Sequence, residues 1–154
     1  MSDQISFFAD QPVKRLTDCT QGRKANNSGQ TAEDVIYCLF KERGYPVKRQ
    51  VPIGANIYGH PTRVDLVIER LPGFEAGLII ERKWQAVAGS TDEKYVFLAQ
   101  NIKQCYPHPT ILLADGGGAK PGAIKWLKTQ VDGHKLIGVF SLNELLNWII
   151  DRGI

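Results

Sequence analysis

Asp65 stands in the middle of an apolar run, Val64-Asp65-Leu66-Val67-Ile68, and constrains the chain more than any other residue. A carboxylate placed there is costly to bury unless charges or hydrogen-bond donors pair with it. A second apolar run, Gly77-Leu78-Ile79-Ile80, leads into Glu81-Arg82-Lys83-Trp84-Gln85. Pro72-Gly73 between them is a strong turn signal, and the flanks are β-branched. Residues 63–85 therefore predict two neighbouring antiparallel strands. With a strand period of two, Glu81 and Lys83 point to one face and Arg82 to the other. Two carboxylates on adjacent strands beside a lysine suggest an oxygen-ligand site for a hard divalent cation. The competing reading is a cross-strand salt-bridge cluster at the end of the sheet. Nothing in strand packing requires an acid inside this run, which favours the metal site.

At 154 residues the chain is expected to form a single domain, 1–154, with an irregular N-terminal arm over about 1–30. A net charge of +3 permits a polyanionic partner without demanding one. Cys19, Cys38 and Cys105 are odd in number and widely spaced, which argues against a structural zinc or a disulfide framework and fits a reducing compartment. Asp3 and only a brief apolar patch at the start do not make a secretory signal, and no apolar run is long enough for a membrane span. A cytoplasmic protein is the expectation.

The polar loop over 20–30 carries Arg23 and Lys24, solvated surface or, on the sharper reading, phosphate contacts. A helix is predicted over about 31–43, with Thr31 and Asp34 as its capping box and Gly44 as its stop. Val35, Ile36, Leu39 and Phe40 form its apolar stripe. Glu33 borders that stripe, either as first-turn electrostatics or as an inward-facing carboxylate close to the strands. A strand over 45–53, weakened by Pro46 and Pro52, belongs at an edge. Ser90 and Thr91 cap a helix over 92–104, with Val96, Ala99 and Ile102 on its buried side and Tyr95 and Leu98 on the flank. The unbroken apolar run at 110–115 reads as a central strand covered on both faces. Pro121 opens a helix over about 122–129, residues 136–140 form another buried strand, and Ser141 with Glu144 caps an amphipathic closing helix. Strands joined by helical crossovers imply an α/β fold, a mixed sheet of four to five strands with helices on both faces.

The spacing Glu33 … Asp65 … Glu81-Arg82-Lys83-Trp84-Gln85 resembles the PD-(D/E)XK nuclease superfamily, the restriction-endonuclease-like fold. Asp65 matches the motif's first aspartate, with Val64 in the place of its proline. Glu81 and Lys83 match the second half, with Arg82 where a hydrophobic residue is more usual. Glu33 matches an acid that many members carry on the first core helix, and Gln85 a glutamine that several branches carry after the lysine. The order of elements extends the likeness to about 28–140.

That resemblance implies Mg²⁺-dependent hydrolysis of DNA phosphodiester bonds, with Mn²⁺ as a substitute. Asp65, Glu81 and the backbone carbonyl of Arg82 would hold the ion, with Glu33 a further candidate ligand. Lys83 would position or help to activate the attacking water, and Gln85 would contact DNA or order a water. Arg23, Lys24, Arg82, Ser90, Thr91, Lys94 and Lys120 are the candidate DNA contacts. The enzyme would be an endonuclease of restriction or homing type. A junction- or flap-specific nuclease is the alternative, and a non-catalytic binding or assembly domain on the same fold the reading from a different class. One site cuts one strand, so double-strand cleavage implies a homodimer or higher homo-oligomer. Asp115-Gly116-Gly117-Gly118-Ala119-Lys120 lacks the ending of a phosphate-binding loop, so no nucleotide cofactor is expected. His60, His108 and His134 occur singly, and the three tryptophans read as packing residues, Trp84 being the one candidate for base stacking.

Overall fold

The computed structural model describes residues 28–84, 92–115 and 120–154. In chain order these form α1 (Ser28–Glu42), β1 (Val47–Ala55), β2 (Pro61–Ile68), β3 (Leu78–Trp84), α2 (Asp92–Gln104), β4 (Thr110–Asp115), α3 (Pro121–Thr129), β5 (Leu136–Phe140) and α4 (Leu142–Arg152). The strands form one five-stranded sheet in the order β1-β2-β3-β4-β5. The first three are antiparallel neighbours, whereas β3–β4 and β4–β5 are parallel. Short turns suffice for the antiparallel pairs, and the parallel pairs need the crossovers that α2 and α3 supply.

Alternation along the strands divides the core in two. Ile80, Leu66, Ile68, Ile111 and Leu113 pack beneath Ile36 and Phe40 of α1 and Leu145 and Ile149 of α4. Ile79, Val67, Leu112 and Val139 pack beneath Tyr95, Leu98, Ala99 and Ile102 of α2 and Leu127 of α3. Ile79 and Ile80 adjoin in sequence yet belong to opposite layers, as a period of two requires. Each such fully buried aliphatic side chain contributes about 1.5–3 kcal/mol, which is why β4, apolar at nearly every position, fits the middle of the sheet.

Two sequence expectations are corrected here. The first helix begins at Ser28 rather than Thr31, because nothing in Ser28-Gly29-Gln30 interrupts helical backbone; Thr31 therefore lies inside α1 and does not cap it. Val96 is 45 % exposed, whereas Ala99 and Ile102 are buried as expected, joined by Tyr95 and Leu98 from the flank. Other signals hold. Gly44, at φ 87°, ends α1 while the Tyr45 N–H donates to the Phe40 carbonyl. Ser141 and Glu144 form the reciprocal capping box of α4. The β1–β2 hairpin is pinned to α2 by Asn101, whose Oδ1 accepts from Ile57 N at 2.9 Å, and Tyr58 stacks on Phe97 with ring centroids 5.0 Å apart.

Candidate active site

The antiparallel ladder between β2 and β3 runs from Ile68 opposite Leu78 to Leu66 opposite Ile80, and stops. The next pair would be Asp65 and Glu81. Side chains take over from backbone there. Asp65 N donates to Glu81 Oε2 at 3.1 Å, and Arg82 N donates to Asp65 Oδ2 at 2.9 Å. Beyond this point β2 stays paired with β1, through Val64 opposite Val51, and β3 with β4, through Arg82 opposite Leu113. The sheet therefore forks, and the two carboxylates occupy the crotch. A hydrogen bond to a charged acceptor is worth about 1.5–3 kcal/mol, enough to offset much of the desolvation of a half-buried carboxylate.

A third hydrogen bond comes from β1. Gln50 Nε2 donates to Asp65 Oδ1 at 3.2 Å, and Gln50 adopts φ 50°, in the left-handed region. A non-glycine residue pays on the order of 1 kcal/mol for that conformation, and such strain gathers at functional sites.

Glu33 reaches the same neighbourhood from α1 and is only 6 % exposed. Burial raises its pKa first, the charge of Asp65 raises it further, and Arg49 and Arg82 oppose them. The inward-facing reading of Glu33 thus describes its position. Arg49 is held by an ion pair with Asp34 at 2.7 Å and lies over the Tyr37 ring, 4.0 Å from its centroid. Arg82 continues β3 rather than ending it and is half-buried, and its Nε lacks a hydrogen-bond partner, as does Nε of Arg49. On the other side of the sheet lies Tyr106, a buried phenol. Burial first, then the charges of Glu81 and Asp65, push its pKa up.

Gln50, Arg49 and Tyr106 were not marked by any sequence motif. Lys83 lies on β3 with its backbone opposite Ala114. Arg23, Lys24, Gln85, Ser90 and Thr91 lie outside the described residues. Lys94, in the first turns of α2, and Lys120, at the N-cap of α3, are exposed.

The donors at the fork are hard oxygens, the chemistry that Mg²⁺ and Mn²⁺ prefer. Negative charge also accumulates there, since Asp65 raises the pKa of Glu33 and both Asp65 and Glu81 raise that of Tyr106. A divalent cation would relieve that repulsion, so these residues fit the ion. Among the described residues, no three His, Cys, Asp or Glu side chains converge into a single ligand cluster. Asp65 and Glu81 would act as a pair completed by backbone, water or substrate oxygens.

A forked mixed sheet between two helical layers, with paired acids at the fork, defines an α/β protein of nuclease type. A family model of the PD-(D/E)XK nuclease superfamily domain matches residues 24–152, and the chain belongs to that superfamily. No curated protein and no solved structure matches the chain significantly. Among the described residues no helix is long and apolar enough to cross a membrane.

Proposed function

We propose that the chain is a Mg²⁺-dependent DNA endonuclease, of restriction or homing type or specific for branched DNA, with its active centre at the β2–β3 fork. The observation that carries this reading is the reciprocal bonding of Asp65 and Glu81 to backbone N–H groups of the opposing strand. It fixes both carboxylates in place before any ligand arrives, the preorganisation that metal-assisted hydrolysis needs. Asp65 and Glu81, with the carbonyl of Arg82, would hold Mg²⁺ or Mn²⁺, and Glu33 would bind through water or steady Lys83. When bound, the ion lowers the pKa of a water and neutralises charge on the scissile phosphate.

The remaining roles belong to the chain itself. Lys83 would orient the attacking water and offset charge developing on phosphorus. Gln50 holds Asp65 by its second oxygen. Arg82, half-buried and close enough to Glu33 to lower its pKa, would offer the outer part of its guanidinium to a phosphate oxygen. Lys94 and Lys120, with Arg23, Lys24, Ser90 and Thr91 and with Gln85 near the motif, would track the DNA backbone, an interaction that weakens as salt rises. A homodimer or higher assembly would supply the second cut of a double-strand break, and a cytoplasmic location would suit a DNA substrate.

The test is purified protein with Mg²⁺ on supercoiled plasmid, linear duplex and branched DNA, beside Asp65→Ala. Cleavage by the wild type alone supports the reading. No cleavage of any substrate, or equal cleavage by the variant, removes it and leaves a binding or assembly domain on a nuclease fold. Discrete bands, a smear or a branched-only product separate the nuclease types.

A further inference from the structure

β3 and β4 run parallel, so both end at the same edge of the sheet, and α2 and α3 each begin just beyond it. In open α/β sheets the crevice outside the carboxyl ends of the strands is where ligands settle. Between these two helices lies a cleft of about 400 Å³, lined by Tyr95 and Val96 of α2 and by Lys120, Gly122, Ala123 and Trp126 at the start of α3. Its two helices are the ones that follow β3, which carries Glu81-Arg82-Lys83, and β4 in the chain.

The composition of the lining decides what fits. Among the described residues its lining side chains are apolar or aromatic apart from one cation, Lys120. Tyr95 is buried and forms part of the floor, whereas Trp126 and Val96 remain partly exposed although they border an apolar layer. A volume near the lower end of the range for ligand pockets suits one flat ring system rather than a stretch of polymer. The first turn of α3 carries no acid, its N-cap makes no side-chain bond, and Lys94 and Lys125 lie exposed on the flanking helices. Lys120 therefore places a positive charge beside an apolar slot, while the acids Asp92 and Glu93 begin α2. An aromatic base attached to a phosphate backbone is complementary to both parts.

We propose that the α2–α3 cleft receives a single unpaired nucleobase of the DNA substrate, stacked against Trp126, while Lys120 holds the adjoining phosphate. The inference rests on the nuclease reading above and narrows it. A base still paired in a duplex cannot enter the slot, so the favoured substrate carries an unpaired or extruded nucleotide near the scissile bond. Stacking of a base on a protein aromatic ring tolerates any sequence, which makes the cleft a reader of strand state rather than of base identity.

The test uses the full chain with Ca²⁺ in place of Mg²⁺ and a single-stranded oligonucleotide bearing 5-iodouracil, irradiated and mapped by peptide mass spectrometry. Crosslinks to Trp126 or Tyr95 are expected, and the fully paired duplex should give none there. Ala123→Phe, which fills the slot and whose folding is checked by its melting temperature, should weaken binding of the single strand about 10-fold or more and leave duplex binding within about 2-fold. An oligonucleotide that binds but crosslinks only elsewhere overturns the cleft assignment and spares the nuclease reading. Failure of every DNA to bind overturns both.

Discussion

The N–H of Arg82 lies 2.9 Å from Oδ2 of Asp65, so a side-chain oxygen stands where the next rung of the β2–β3 ladder would be. The acid inside the apolar strand thus has a structural role as well as a proposed chemical one, and substitution can separate the two. Asp65→Asn retains an oxygen to accept that N–H and loses the charge; Asp65→Ala loses both. Both should lower Mg²⁺-dependent cleavage by at least about 100-fold. In urea unfolding without metal, Asp65→Asn should keep about 1–2 kcal/mol more stability than Asp65→Ala. Equal stabilities would mean that the hydrogen bond does not hold the fork.

Glu33 gives the site a pH dependence of defined sign. Its folded pKa is raised, chiefly by burial and then by Asp65, so the native state binds the proton more tightly than the unfolded chain does. The associated stability is fully present below the ordinary value of 4.5 and is lost as pH rises through the raised folded value. Glu33→Gln cannot ionise and should be spared that loss. Urea midpoints of wild type and variant in EDTA should diverge with rising pH, the variant becoming relatively more stable. Adding Mg²⁺ should shrink the gap.

Metal binding can be read without catalysis. A ligand that binds only the folded state stabilises it by about 2.7 kcal/mol at a hundredfold excess over its Kd. Mg²⁺ or Mn²⁺ should raise the melting temperature of the wild type, and the rise should vanish in Asp65→Ala and Glu81→Gln. An undiminished rise in both variants would place the ion elsewhere.

Gln50 can be tested through its backbone. At φ 50°, glycine avoids a penalty that alanine keeps, and neither can bond to Asp65. Gln50→Gly should therefore be about 1 kcal/mol more stable than Gln50→Ala, while both lose activity to a similar degree. A variant as active as the wild type would remove Gln50 from the positioning of Asp65.

Gly77 enters β3 at φ 150°, and a Cβ there would lie 2.9 Å from the His108 ring. Gly77→Ala should cost about 1–3 kcal/mol by conformational strain and by collision. Adding His108→Ala should recover the collision component alone, so a double-mutant cycle should show coupling. Additive effects would indicate that the ring does not meet the new methyl.

Much of this was written locally. The acid inside Val64–Ile68, the turn at Pro72-Gly73 and the unbroken apolar run of β4 each follow from burial and turn chemistry within a few residues. They were enough for the antiparallel pair of strands, the two-sided sheet and the family motif, though not for the fork. Gln50 was not legible, for a reason that can be counted. The β1–β2 register shifts between Pro52 and Gly54, so a regular hairpin counted from Ala55 opposite Pro61 would set Gln50 against Leu66. The shift sets Arg49 against Leu66 and brings Gln50 level with Asp65. The closeness of Glu33 to Asp65 and the separation of α2 from α3 are likewise outcomes of packing between distant segments. Sequence by itself determined which residues carry charge inside strands, because strand period and desolvation act over neighbouring positions. Only tertiary structure decided what those charges meet and where a cleft remains, because register and helix docking are set by the summed burial of the whole core.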